Sequence, residues 1–208
     1  MIAKLPFASC YVYSPTGTGT VCERSRLLRE LLKDGDAHFM LKFVRRVRQQ
    51  TEGRSCLSGF FFADDVLVPV PRCSPASHGT WVAAELTQAL VRAGVGKLAW
   101  PGLRRICAVR KSATSASGAR PSVAAHYDSF EIERLSHHAA SLVLVDDVIT
   151  LGRTLMAAAA RVSEAFPGAP VRAFALLRTR GLISGVGRLL EPCRGEIRWN
   201  GSDVRRTP

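Results

Sequence analysis

The chain has 208 residues, 47% apolar and 22% charged, which is enough for one domain with a full core and ordinary for a globular protein. Twenty-nine Lys and Arg against 17 Asp and Glu leave a net charge of +12, spread along the chain, which favours phosphate-bearing partners, whether small metabolites or nucleic acid. No apolar run approaches the ~20 residues of a membrane span, and the six scattered cysteines, with no C-x-x-C pair, argue against a zinc ribbon or disulfide framework and suit reduced thiols in a cytoplasmic protein.

The first residues, "MIAKLPFASC", place small residues before a cysteine as lipoprotein signals do, but their apolar stretch is short and broken by Pro6, which argues against that reading. The segment from Cys10 begins Gly/Thr/Pro-rich and reads as loop. Leu27, Leu28, Leu31 and Leu32 then recur at helical spacing until Asp34-Gly35-Asp36. Phe39, Met40, Phe43, Val44 and Val47 predict a second amphipathic helix, with Lys42, Arg45, Arg46 and Arg48 on a solvated outer face.

"DDVLVPVPR" (64–72) reads as a buried strand entering a loop, residues 81–93 as a helix, and "RRICAVR" (104–110) as a second strand. The polar stretch 111–127 reads as a long loop. Residues 142–146 make a third strand, 152–166 a helix and 171–177 a fourth strand. This alternation predicts a parallel sheet with helices on both faces. Residues 181–208 are Gly- and Arg-rich with little periodicity. His126, His137 and His138 lack metal-binding spacing and read as surface histidines.

The chemistry concentrates in "LVLVDDVITLGRT" (142–154). Asp146 and Asp147 stand side by side after the most apolar run, where two carboxylates repel unless cations or hydroxyl groups meet them. Ligands of an open parallel sheet bind beyond the carboxyl ends of its strands. The turn Ile149-Thr150-Leu151-Gly152-Arg153-Thr154 leads into a helix N-terminus, where free N–H groups and the helix dipole favour an anion. Acids for sugar hydroxyls beside a turn for phosphate read together as a receptor for a ribose 5-phosphate.

The stretch resembles the signature of the type I phosphoribosyltransferases: an apolar strand, two acids, two apolar residues, then a Thr/Gly-rich phosphate loop. The resemblance implies that Asp146 and Asp147 hold the ribose 2- and 3-hydroxyls of phosphoribosyl pyrophosphate (PRPP). It implies that the segment Val148, Ile149, Thr150, Leu151, Gly152, Arg153 and Thr154 lies against its 5-phosphate. Two positions depart from the pattern: Leu151 stands where the family has Thr or Ser, and Arg153 replaces a small residue, either adding a cation or blocking the site. Over about residues 23–180 the order of segments is similar to the competence protein ComF group, with "ADDVLVPVP" ahead of a basic loop and then the signature. The amino-terminal zinc ribbon of that group is absent, and the segment expected after the proline strand appears only as "SHGTW" (77–81).

The fold so implied is α/β: a type I phosphoribosyltransferase-like parallel sheet flanked by helices. Its divisions are an amino-terminal loop and helical appendage (1–63), the core (64–180) and a carboxyl-terminal tail or hood (181–208). The implied reaction displaces pyrophosphate from C1 of the ribose by a nitrogen nucleophile, with Mg²⁺ carried by PRPP. Arg72, Arg110 and Lys111 are the candidates for contact with the leaving pyrophosphate, within a basic stretch that also holds Arg104, Arg105 and Arg120. The alternative is a PRPP- or nucleotide-binding regulatory protein that has lost the chemistry, in a DNA-uptake or retron/phage-defence system. Candidate partners are PRPP or a nucleotide, nucleic acid through the basic surface, and a second copy of the chain in a homodimer.

Overall fold

Residues 2–76, 78–110, 120–133, 139–180 and 186–208 are described by a computed structural model. In chain order the elements are β1 (Lys4–Tyr13), α1 (Thr20–Lys33), α2 (Ala37–Glu52), β2 (Asp65–Pro69), α3 (Val82–Arg92), β3 (Leu98–Ala99) and β4 (Leu103–Arg105). They continue with α4 (Val123–Asp128), β5 (Phe130–Ile132), β6 (Ser141–Ile149), α5 (Arg153–Ala165), β7 (Val171–Thr179), β8 (Leu190–Trp199) and β9 (Val204–Thr207).

Seven strands form one sheet in the order β3-β2-β6-β7-β1-β8-β9. The first five are parallel, and β8 and β9 extend the sheet antiparallel beyond β1. Alternation along each strand divides the core. Leu142, Leu144, Ala173 and Ala175 turn to α5, whose small Ala157, Ala158 and Ala159 let the helix lie close against the sheet. Val143, Val145, Phe174 and Leu176 turn to α2 and α3, where Phe43, Val44, Val47, Leu86 and Leu90 meet them. The mixed α/β class, with a mainly parallel sheet and helices on both faces, is as the alternation of elements predicts.

Local chemistry sets the helix boundaries. Asp36 caps α2, its Oδ1 accepting from the N–H groups of His38 and Phe39 at 2.8 and 3.1 Å. Gly35 turns the chain between α1 and α2 at a φ of 71°.

Three expectations are corrected. Residues 10–13, read as loop, complete β1, which lies inside the sheet between β7 and β8; the loop is confined to residues 14–19. Pro6 is tolerated there because pairing with β7 begins only at Phe7, so its missing N–H costs no bond on that side. The strand expected over 104–110 shrinks to β4, which leaves the main sheet and pairs antiparallel with β5 in a two-stranded ribbon. In the tail, residues 190–207 form the hairpin β8–β9 around the turn Asn200–Asp203. β1 pairs with β7 on one side and with this hairpin on the other. Within the loop expected over 111–127, residues 123–128 form α4, and 111–119 lie outside the described residues.

Candidate functional site

Connections from β2 run outward through α3 to β3, whereas β6 continues the other way through α5 to β7, so the order reverses between β2 and β6. At such a switch point the carboxyl ends of the strands part and leave a crevice. A small, half-open depression of about 30 Å³ lies here. It is lined by Asp146, Val148, Ile149, Thr150, Leu151, Gly152, Arg153 and Thr154, together with Arg120 and Leu155. Eight of the nine motif residues are thus brought together; Asp147 stands outside the lining but touches Asp146.

The carboxylates are held by the strand itself. Asp146 Oδ1 accepts from the N–H of Asp147 at 2.9 Å, and Asp147 Oδ1 from the N–H of Val148 at 2.9 Å. Burial pushes the Asp146 carboxyl well above the usual carboxylate range, the adjacent Asp147 charge adds to this, and the Arg105 guanidinium opposes it. Asp146 is thus short of positive charge, and a cation or a set of hydroxyl donors beside it would favour its ionised form.

The turn after β6 is built for close packing. Gly152 has a φ of 92°, and a Cβ there would come within 2.6 Å of Ile197 on β8. The close approach that this glycine permits is therefore to the carboxyl-terminal hairpin. Arg206 Nη1 donates to the Ile149 carbonyl at 3.1 Å, tying the same hairpin to the start of the turn. No side chain caps α5, so its first N–H groups face the depression without a side-chain acceptor.

Arg153 lines the depression, and its guanidinium is already engaged by the carboxyl-terminal hairpin. Its Nε and Nη2 grip both oxygens of Asp203 at 2.7 and 2.5 Å, and its Nη1 donates to the carbonyls of Arg120 and Pro121 at 3.5 and 3.4 Å. Leu151, 39% exposed, brings no hydroxyl to the turn. Thr154 does, and its Oγ1 lies 3.3 Å from His126 Nε2.

His126 was expected at the surface; it is 3% exposed, held under the turn because α4 packs on α5. Burial lowers its pKa to about 4, with the Arg105 and Arg153 charges acting in the same direction, so the ring is neutral at pH 7. Its Nδ1 has no partner among the described residues. A proton on Nε2 rather than on that unpartnered nitrogen makes Thr154 Oγ1 an acceptor from His126 and leaves the threonine hydroxyl hydrogen free for an anion.

Arg105, read as one cation of an open basic loop, is buried. It donates from Nε to the Arg72 carbonyl at 2.6 Å and from Nη1 to Ser129 Oγ, and it lies 4.3 Å from the Phe130 ring centroid. With the bond from Val109 N–H to the Cys73 carbonyl at 2.8 Å, this joins the loop after β2 to the one after β4. Arg72 donates to the Gly79 carbonyl at 2.6 Å and is not part of the lining, while Arg110 is exposed. Lys111, His137 and His138 lie outside the described residues.

Asp203, Ile197 and Arg206 were missed as parts of the site, although the Asn200-Gly201 pair between "EIRW" and "DVRR" is a hairpin signal. Among the described residues, no group of three or more His, Cys, Asp or Glu forms a cluster able to hold a metal ion. None of the described helices is long and apolar enough to cross a membrane.

No family model and no curated relative matches the chain. Among solved structures, the chain is similar to a glutamic acid mutant from an analysis of an invariant aspartic acid in HPRTs, at 15% identity and a TM-score of 0.37, over 77% of this chain and 74% of that one. It is also similar to a hypoxanthine phosphoribosyltransferase from Staphylococcus aureus, at 11% identity and a TM-score of 0.33, over 78% of this chain and 68% of that one. Likenesses at this level identify neither ligand nor activity.

Proposed function

We propose that the chain is a phosphoribosyltransferase-like protein of the ComF-like kind, which binds PRPP and transfers its phosphoribosyl group with release of pyrophosphate. The observation that carries this reading is the juxtaposition, in one crevice, of the Asp146 carboxylate with Thr150, Thr154 and the uncapped N-terminus of α5. The helix N-terminus and the two hydroxyls suit a phosphate dianion. Asp146, with Asp147 against it, suits the vicinal hydroxyls of a ribose.

In this reading the α5 N-terminus anchors the 5-phosphate and the carboxylates accept hydrogen bonds from the ribose hydroxyls. A nitrogen nucleophile forms a bond to C1 as the C1–O bond breaks, and pyrophosphate leaves with the electron pair. Positive charge developing on the ribose ring near Asp146 favours the ionised carboxylate, so the pair stabilises the transition state more than the resting site. Two adjacent carboxylates without a third acid suit a hydrated Mg²⁺ better than an all-protein cage. Asp146 and Asp147 are the residues that would face the ion, and its chemistry is to offset the charge of the leaving pyrophosphate. Calorimetry with PRPP and Mg²⁺ tests the reading: saturable binding lost in Asp146→Asn supports it, and an absence of heat overturns it.

Leu151 and the engaged Arg153 favour a second reading, in which the chain binds PRPP or a nucleotide as a regulator without turnover. Pyrophosphate release with a panel of bases separates the two, since turnover abolished by Asp147→Asn excludes the regulator. Contact with nucleic acid through the basic surface is a further proposal that rests on the net charge of +12. It requires affinity that falls steeply with salt and outlasts competition from unrelated sequence.

A further inference from the structure

The amino-terminal helices leave an open groove of about 510 Å³ on the α2–α3 face of the sheet, remote in sequence from the Asp146 crevice. Its floor is apolar: Leu27, Leu28 and Leu31 from α1, Phe39 and Phe43 from α2. The helix α1 turns Cys22, Ser25 and Leu32 inward and leaves this second stripe beside the groove, with Leu27 54% exposed. A leucine stripe on a helix face normally meets a partner surface.

The rim has one sign of charge. Among the described residues, Arg24, Lys42, Arg45 and Arg46 line it, no acid does, and none of the four enters an ion pair. Other cations of the chain do find acids; Arg48, one turn further along α2, pairs with Glu52 at 2.6 Å. Two of the rim cations also border aromatic groups of the groove: Lys42 lies 5.3 Å from the Phe39 ring centroid, and Arg46 lies beside the Tyr11 hydroxyl.

We propose that the α1–α2 groove is a docking site for an acidic amphipathic helix of a partner protein. Leu27 and Leu31, one turn apart, face leucine-type anchors of a helix laid along the groove, and carboxylates flanking those anchors meet the cationic rim. A second copy of this chain would bring a like-charged rim against this one. Nucleic acid would find phosphate partners but no use for a leucine floor. A bilayer surface would not descend between the two helices to reach it.

The test uses the full chain and a fluorescent synthetic peptide of about 18 residues, with Leu at i, i+3, i+4 and i+7 and Glu beside them. The control peptide carries Lys in place of Glu. Anisotropy is expected to show saturable binding of the Glu peptide, weakened by salt and at least about tenfold tighter than the Lys peptide. Leu27→Glu and Arg45→Glu, both at exposed positions, are expected to lose about tenfold or more while the thermal midpoint and PRPP titration stay unchanged. Failure of the Glu peptide to saturate, or equal binding of the two peptides, overturns the assignment. So does a Leu27-dependent dimer in sedimentation, or Leu27-dependent pelleting with phosphatidylserine vesicles, because each names another occupant. None of these outcomes bears on the PRPP reading, which rests on the crevice at the carboxyl ends of the strands, where none of the groove's residues lies.

Discussion

Asp65 and Asp146 are acids on neighbouring strands of one sheet, and their surroundings are opposite. Asp65 opens β2 and is fully buried, yet it is surrounded by donors. Arg172 reaches it at 2.5 Å, Ser141 Oγ donates to the same oxygen, and the Phe62 N–H donates to the other at 2.7 Å. Arg172 is itself covered by the Phe62 ring at 4.4 Å. Asp146, near the far end of β6, has the Asp147 N–H, the Asp147 carboxyl and the charge of Arg105. The amino-terminal edge of the sheet satisfies its acid within the fold. The carboxyl-terminal edge leaves its acid with a single backbone donor and a carboxyl that holds its proton more tightly than usual.

The contrast is broken most sharply by removing each acid. Asp65→Ala strands Arg172 and Ser141 in a dry site and is expected to cost about 3–5 kcal/mol in urea unfolding. Asp146→Asn is expected to keep at least wild-type stability at neutral pH while weakening PRPP binding by about ten- to a hundredfold. Equal destabilisation by the two substitutions would erase the distinction. The pH dependence sharpens it. Because the folded chain holds the Asp146 proton more tightly than the unfolded chain, stability falls as pH rises from the ordinary carboxylate range through the raised value. Asp146→Asn is expected to flatten that slope.

His126 has the opposite sign. Its folded pKa of about 4 lies below the ordinary 6.5, so stability is full above 6.5 and is lost as pH falls toward 4. The loss is on the order of 3 kcal/mol over that window. His126→Gln, which retains a donor near Thr154, is expected to remove the slope in acid unfolding curves and leave PRPP affinity at pH 7 within about threefold. A slope that persists would place the titration elsewhere.

Gly152→Ala is expected to cost about 1–3 kcal/mol, because the left-handed turn and Ile197 leave no room for a methyl group. Its loss of PRPP affinity should match that of Ile197→Arg if the hairpin positions the turn. The smallest effect belongs to Asp203→Asn, which loosens a partly exposed clasp on Arg153 and should cost about 1 kcal/mol or less. PRPP affinity unchanged in that variant would show that the clasp closes the hairpin without tuning the turn.

The residues of the crevice were legible in unequal measure. Strand, acid pair, turn and helix are contiguous over 142–154, so hydrophobic period and turn chemistry are enough to place them. His126, Arg105 and Asp203 act on the same crevice from 28 positions before Thr154, 41 before Asp146 and 50 after Arg153. Nothing local marks them, since a histidine after two alanines or an arginine in a basic run has the pattern of a surface residue. The strand β1 was hidden by Pro6, and β8–β9 by their charged residues, which suit half-exposed strands at the antiparallel end of the sheet.

The sequence by itself determined the α/β class and the one segment where carboxylates meet a helix N-terminus, because both follow from periodicities of a few residues. The tertiary structure decided that Arg153 belongs to Asp203, that a neutral histidine lies under Thr154, and that Gly152 makes room for Ile197. Each of those is a contact between segments far apart in the chain, fixed by which elements share a face of the sheet.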